Sequence, residues 1–69
     1  MGKRGEKKRQ KAELERARKN LDEIHGQLTA AYARFEEIRD PVLTDACVYE
    51  INALRAQYDY ALQNLKRMY

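Results

Sequence analysis

A chain of 69 residues, 36% charged and 43% hydrophobic, suffices for one small domain and is too apolar to be disordered. Fourteen Lys and Arg stand against 11 Asp and Glu, for a net charge of +3, and no apolar run is long enough to span a bilayer. The single cysteine, Cys47, excludes an internal disulfide and any zinc site built on several cysteines.

The positive charge is confined to the start of the chain. Residues 1–11 carry Lys3, Arg4, Lys7, Lys8, Arg9 and Lys11 against Glu6, a net +5. Residues 12–69 carry eight basic and ten acidic groups, a net −2. No apolar stretch follows the basic residues, so no secretory signal is expected. Positive charge at a helix start opposes the macrodipole, and Gly2 and Gly5 add backbone entropy. Residues 1–9 therefore read as a basic flexible arm. Such an arm is either a solubilising tail or a phosphate contact through Lys3, Arg4, Lys7, Lys8, Arg9 and Lys11. It lacks interleaved aromatic residues, so base stacking is not indicated.

From Leu14 the pattern sharpens. Leu14, Ala17, Leu21, Ile24, Leu28, Ala31, Phe35 and Ile38 recur at alternating spacings of three and four. That is an unbroken heptad seam, and it predicts a first helix over about 10–39. The positions between are mostly charged or amide residues. Gly26 lies inside this helix but opposite the seam, in a strip of small residues with Ala30 and Ala33. The strip suggests a close helix contact.

Asp40-Pro41 punctuates the chain. A proline disfavours helical dihedrals in the residue before it, so the first helix should stop near Arg39. Asp40 is suited to cap a second helix with Pro41 in its first position. Thr44 offers an alternative cap, with 40–43 as a loop. In either case the connection is short, and short connections join antiparallel neighbours.

The second helix, predicted over about 42–67, carries two apolar faces. Cys47, Ile51, Leu54, Tyr58, Ala61, Leu65 and Met68 form a seam, widened by Val48, Leu62 and Tyr69. Ala46, Tyr49, Ala53, Ala56 and Tyr60 form a second stripe that points roughly away from it. Small alanines admit another backbone closely, and tyrosine rings combine large area with a polar tip. A hairpin can bury only one of the two faces, which predicts self-association or a protein partner, with Tyr49 and Tyr60 as anchors.

Phe35 to Lys66 reads F-x4-D-P-x-L-x-D-x2-V-Y-E-I-x-A-x4-Y-x-Y-x-L-x3-K. This string resembles the YaaL-like family of small bacterial proteins, whose function is unknown. Phe35, Asp40, Pro41, Leu43, Asp45, Val48, Tyr49, Glu50, Ile51, Ala53, Tyr58, Tyr60, Leu62 and Lys66 carry the resemblance, over about half the chain. Val42 stands where an acidic residue is usual, and Thr44 where an apolar one is. The resemblance implies a bacterial cytoplasmic protein and brings no catalytic or cofactor residues with it.

Residues able to do chemistry are sparse. Asp22 and His25 have the i, i+3 spacing of a carboxylate–histidine metal pair, but His25 is the one histidine of the chain, so it reads as a surface residue. Cys47 sits on the seam, where a thiol behaves as a small hydrophobe. No serine, tryptophan or glycine-rich phosphate loop occurs. The reading is therefore no enzyme, no cofactor, no metal and no small-molecule substrate. Asp40, Asp45 and Glu50, with Tyr49, gather near the turn as a candidate docking patch, although the favoured account is that Asp40 caps, Asp45 complements the dipole and Tyr49 packs.

The expected fold is an all-α antiparallel two-helix hairpin over 10–69, with its turn at 40–41, assembling as a four-helix bundle. The expected function is a noncatalytic interaction or scaffold module in the cytoplasm, without membrane insertion, that self-associates through its second helix. A heterologous protein partner is the variant of that reading. The alternative is a nucleic-acid-associated protein that contacts phosphates through the basic arm.

Overall fold

The computed structural model describes residues 2–68, with side chains from residue 7 onward. Two helices make up the fold, α1 over Gly2–Glu37 and α2 over Pro41–Arg67. No strand occurs among the described residues. The three-residue link 38–40 turns the chain back on itself. Ala31 meets Cys47 near the turn and His25 meets Tyr58 farther from it, so α2 numbers rise as α1 numbers fall and the helices are antiparallel. The expected hairpin is present.

The seams meet as the spacing dictates. Ala31, Cys47, Ile51 and Leu54 form the centre, with Leu28 and Ile38 packed against it. Ile24 and Ala61 extend the buried line toward the free end. Leu14, Ala17, Leu21, Tyr58, Leu62 and Leu65 are half-buried along the same line. Phe35 and Met68 belong to the seams but stay exposed. A two-helix seam covers a phenyl ring on one side only, and Met68 stands just beyond the last turn of α2. The Cys47 thiol donates to the Ala31 carbonyl oxygen at 3.5 Å, which ties the two helices where both side chains are small.

Asp40 decides the start of α2. Its φ of −78° and ψ of 125° are extended, and its carboxylate accepts from the Val42 N–H at 2.8 Å. Pro41 occupies the first turn, where its missing N–H removes no bond. The Thr44 N–H donates to the Asp40 carbonyl oxygen at 2.9 Å, and so does the Thr44 hydroxyl. The Thr44-capped alternative is thereby set aside, and α2 starts at Pro41 rather than Val42. Lys66 and Arg67 occupy its last turn, where cations complement the dipole. Replacing Asp40 with alanine should lower hairpin stability by about 1 kcal/mol, read as an earlier midpoint in urea unfolding.

The bounds of α1 differ from those expected. The backbone is helical from Gly2, where the sequence pointed to a flexible arm over 1–9 and a helix only from about residue 10. Lys, Arg, Glu, Gln and Ala are strong helix formers, and no proline or capping residue interrupts them between Glu6 and Arg18. At the other end α1 stops at Glu37 rather than Arg39. The restriction from Pro41 combines with the extended Asp40 to open the last turn, leaving the Ile38 N–H on the Phe35 carbonyl oxygen at 3.4 Å. Tyr69, expected to widen the α2 seam, lies outside the described residues, as do the side chains of Lys3 and Arg4.

The result is a rod of 59 × 15 × 14 Å. Its solvent-accessible surface is 6103 Å². A compact monomer of this mass exposes about 4,500 Å². The surplus is the surface that a single helix pair cannot fold inward.

Candidate functional site

The outer face of α2 carries an exposed apolar stripe. Tyr49 and Tyr60 are 76% and 73% exposed, and Ala46, Ala53 and Ala56 are exposed between them. The seam of Cys47, Ile51 and Leu54 faces α1, so this second stripe is held away from it by helical geometry alone. The structure adds Val42, 75% exposed, to the same stripe. Val42, Ala46, Tyr49, Ala53, Ala56 and Tyr60 then repeat at 4, 3, 4, 3 and 4. That is a second heptad seam, with no facing helix. Val42 was missed from sequence because it follows the proline, although its place four residues before Ala46 carried the signal.

Two polar columns flank the stripe at seven-residue spacing. One holds Asp45, Asn52, Asp59 and Lys66, and the other holds Leu43, Glu50, Gln57 and Asn64. Glu50 forms an ion pair with Arg34 of α1, with both side chains about half exposed. Such a surface pair contributes roughly 0–1 kcal/mol, so its main effect is to fix where the carboxylate lies. Asp45 and Lys66 form no ion pair among the described residues.

The three acids grouped at the turn are thus used differently. Asp40 is committed to the cap and Glu50 to Arg34, while Asp45, on the outer side, has no ion-pair partner among the described residues. Leu43 lies next to them, 55% exposed. The patch therefore offers one free carboxylate and apolar surface rather than three carboxylates.

The free end of the rod is basic. Lys7, Lys8, Arg9 and Lys11 are exposed on α1. Lys7, Gln10, Lys11, Glu13 and Leu14 line an open cleft with Arg67 and Met68, where α2 terminates against α1. At 36 residues against 27, α1 outruns α2 at this end. The basic segment therefore runs from this cleft, where Lys7 and Lys11 lie beside Arg67 and Met68, onto the part of α1 that extends past α2.

The remaining candidates fall outside any shared site. The His25 ring lies against Tyr58, with centroids 6.1 Å apart and a tilt of 49°. No group of three His, Cys, Asp or Glu side chains placed to hold a metal ion occurs among the described residues. A Cβ placed on Gly26 would meet no neighbour within 4 Å outside its own turn, and Ala30 and Ala33 are exposed, so this strip makes no close helix contact among the described residues. No helix among the described residues is long and apolar enough to cross a membrane. No family model, curated protein or solved structure matches the chain.

Proposed function

We propose that the protein is a noncatalytic interaction module that pairs with a copy of itself through the outer face of α2, two hairpins making a four-helix bundle. The exposed heptad stripe Val42 to Tyr60 supports this reading, because a seam with coiled-coil spacing stabilises only when a second helix covers it. The surplus surface of the rod supports it too. A core of this size supplies about 3–5 kcal/mol on its own, so covering a second seam adds a large share of the stability. The resemblance to YaaL-like proteins goes with a bacterial cytoplasmic setting. Thermal unfolding followed by circular dichroism tests the reading. The midpoint should rise with protein concentration, since assembly stabilises the folded state by mass action. A midpoint that is constant over a hundredfold concentration range would sink the idea.

A second reading has its own observation. The projecting start of α1 concentrates cations at one end of a rod whose residues 12–69 carry a net −2. In this reading it contacts nucleic-acid phosphates without reading sequence. Binding should then fall steeply between low and moderate salt and vanish when residues 1–11 are deleted. Salt-insensitive binding, or none, would discard it.

A further inference from the structure

We propose that the two copies meet α2 against α2, antiparallel and in one register, with Tyr49 of each copy against Tyr60 of the other and Ala53 against Ala56 at the centre. The proposal rests on the self-association reading above and specifies its geometry. Antiparallel seams place the first apolar position of one heptad opposite the second of its partner, so permitted registers differ by seven residues. The flanking charges then choose among them.

A parallel pair is unfavourable. It sets Asp45 beside Glu50 of the second copy on both sides of the seam. It also brings the two basic free ends together. The antiparallel pair centred on Ile51 matches Val42 with Tyr60, Ala46 with Ala56 and Tyr49 with Ala53. Its apolar layers are sound, but its flanks oppose Asp45 to Asp59 twice and Glu50 to Glu50. Like charges set directly across a seam disfavour a pairing.

Sliding each helix so that the two-fold falls between Leu54 and Arg55 removes every like-charge contact. Tyr49 then faces Tyr60, and Ala53 faces Ala56. Ala46 lies against Gln63, and Val42 lies along the Arg67 stem. The flanks become Asp45 with Lys66, twice, together with Asn52–Asp59, Glu50–Gln57 and Leu43–Asn64. Asp45 and Lys66 are the two charges of these columns at the ends of α2, and neither has an ion-pair partner within the described chain. A further slide in this direction opposes Asp59 to Asp59 and strands Val42 and Ala46 beyond the facing helix. A slide the other way, beyond the register centred on Ile51, carries Tyr60 past the start of the facing α2 at Pro41. One register therefore covers both tyrosines without like-charge contacts. The four alanines at its centre let the helices approach closely there.

Charge exchange tests it. Asp45→Lys and Lys66→Asp, each alone, should weaken self-association about tenfold at low salt, since each converts two facing pairs from attraction to repulsion. An equimolar mixture of the two variants should recover the wild-type affinity, because both facing pairs of the mixed dimer are again opposite in charge, one as in the wild type and one with its sign reversed. Circular dichroism checks that each variant remains a hairpin. Oxidation of an Ala53→Cys chain mixed with an Ala56→Cys chain supplies a readout independent of charge, and the mixed disulfide should dominate over either homodimeric one. A monomeric wild type would overturn this proposal together with the self-association reading. A dimeric wild type whose mixed variants fail to recover, or whose mixed disulfide does not dominate, would overturn the register and leave self-association standing.

Discussion

A chain with alanine at both Tyr49 and Tyr60 is expected to be monomeric at concentrations where the wild type is assembled. The two rings are about three-quarters exposed in the single hairpin, so their loss removes no contact within the chain core. Surface substitutions of this kind usually change fold stability by less than about 0.5 kcal/mol, and alanine is the better helix former. Across a helix interface the same rings act as anchors, each worth about 2 kcal/mol or more when truncated. Each copy brings two of them. Even with strong non-additivity, the dissociation constant should rise by about a thousandfold. Light scattering reads the mass and circular dichroism the helix content. Lost assembly with preserved helicity is the expected pair of results. Unchanged mass in the double variant would show that the stripe is not the interface.

Replacing Leu54 with alanine should act in the opposite way. Leu54 is buried at 7% exposure in the centre of the seam, with Ile51, Cys47 and Ala31 around it. Truncating a buried leucine typically costs about 2–5 kcal/mol, which is comparable with the whole stability of a core this small. The variant should lose most of its helical signal as an isolated chain. Assembly, where it persists, would recover part of that signal with rising concentration. A Leu54→Ala hairpin that melts like the wild type would mean that the α1–α2 seam is not what holds the rod together. The two substitutions together separate the inner face of α2, which packs on α1, from the outer face, to which the proposal assigns the assembly.

Much of the hairpin was legible because its information is local. The spacing of Leu21, Ile24, Leu28 and Ala31 names a face, and Asp40-Pro41 names a stop and a start within two residues. The outer stripe was legible for the same reason, and Tyr49 and Tyr60 are as exposed as that pattern requires. The features missed depend on how the two helices register. Arg34 and Glu50 are 16 residues apart, and only the turn geometry brings them together. Val42 is the first residue of the expected second helix, and the Asp40 cap with Pro41 in the first turn makes it a firm part of the outer seam. The start of α1 differs from the expected one because the helix propensity of an unbroken Lys, Arg, Glu and Gln run outweighs the unfavourable charge near the N-terminus. The partner strip of Gly26, Ala30 and Ala33 marks the limit of such patterns. Its spacing suggested a close contact, yet Ala30 and Ala33 are exposed and a Cβ on Gly26 would meet no atom of the described residues on the facing helix within 4 Å.

The solution mass of the wild-type protein at micromolar concentration and moderate salt bears most directly on the central claim. Light scattering should give at least twice the 8.2 kDa of one chain, with the mass falling toward one chain on dilution. A folded species of 8.2 kDa at every concentration would contradict it, and would leave the Val42–Tyr60 seam facing water.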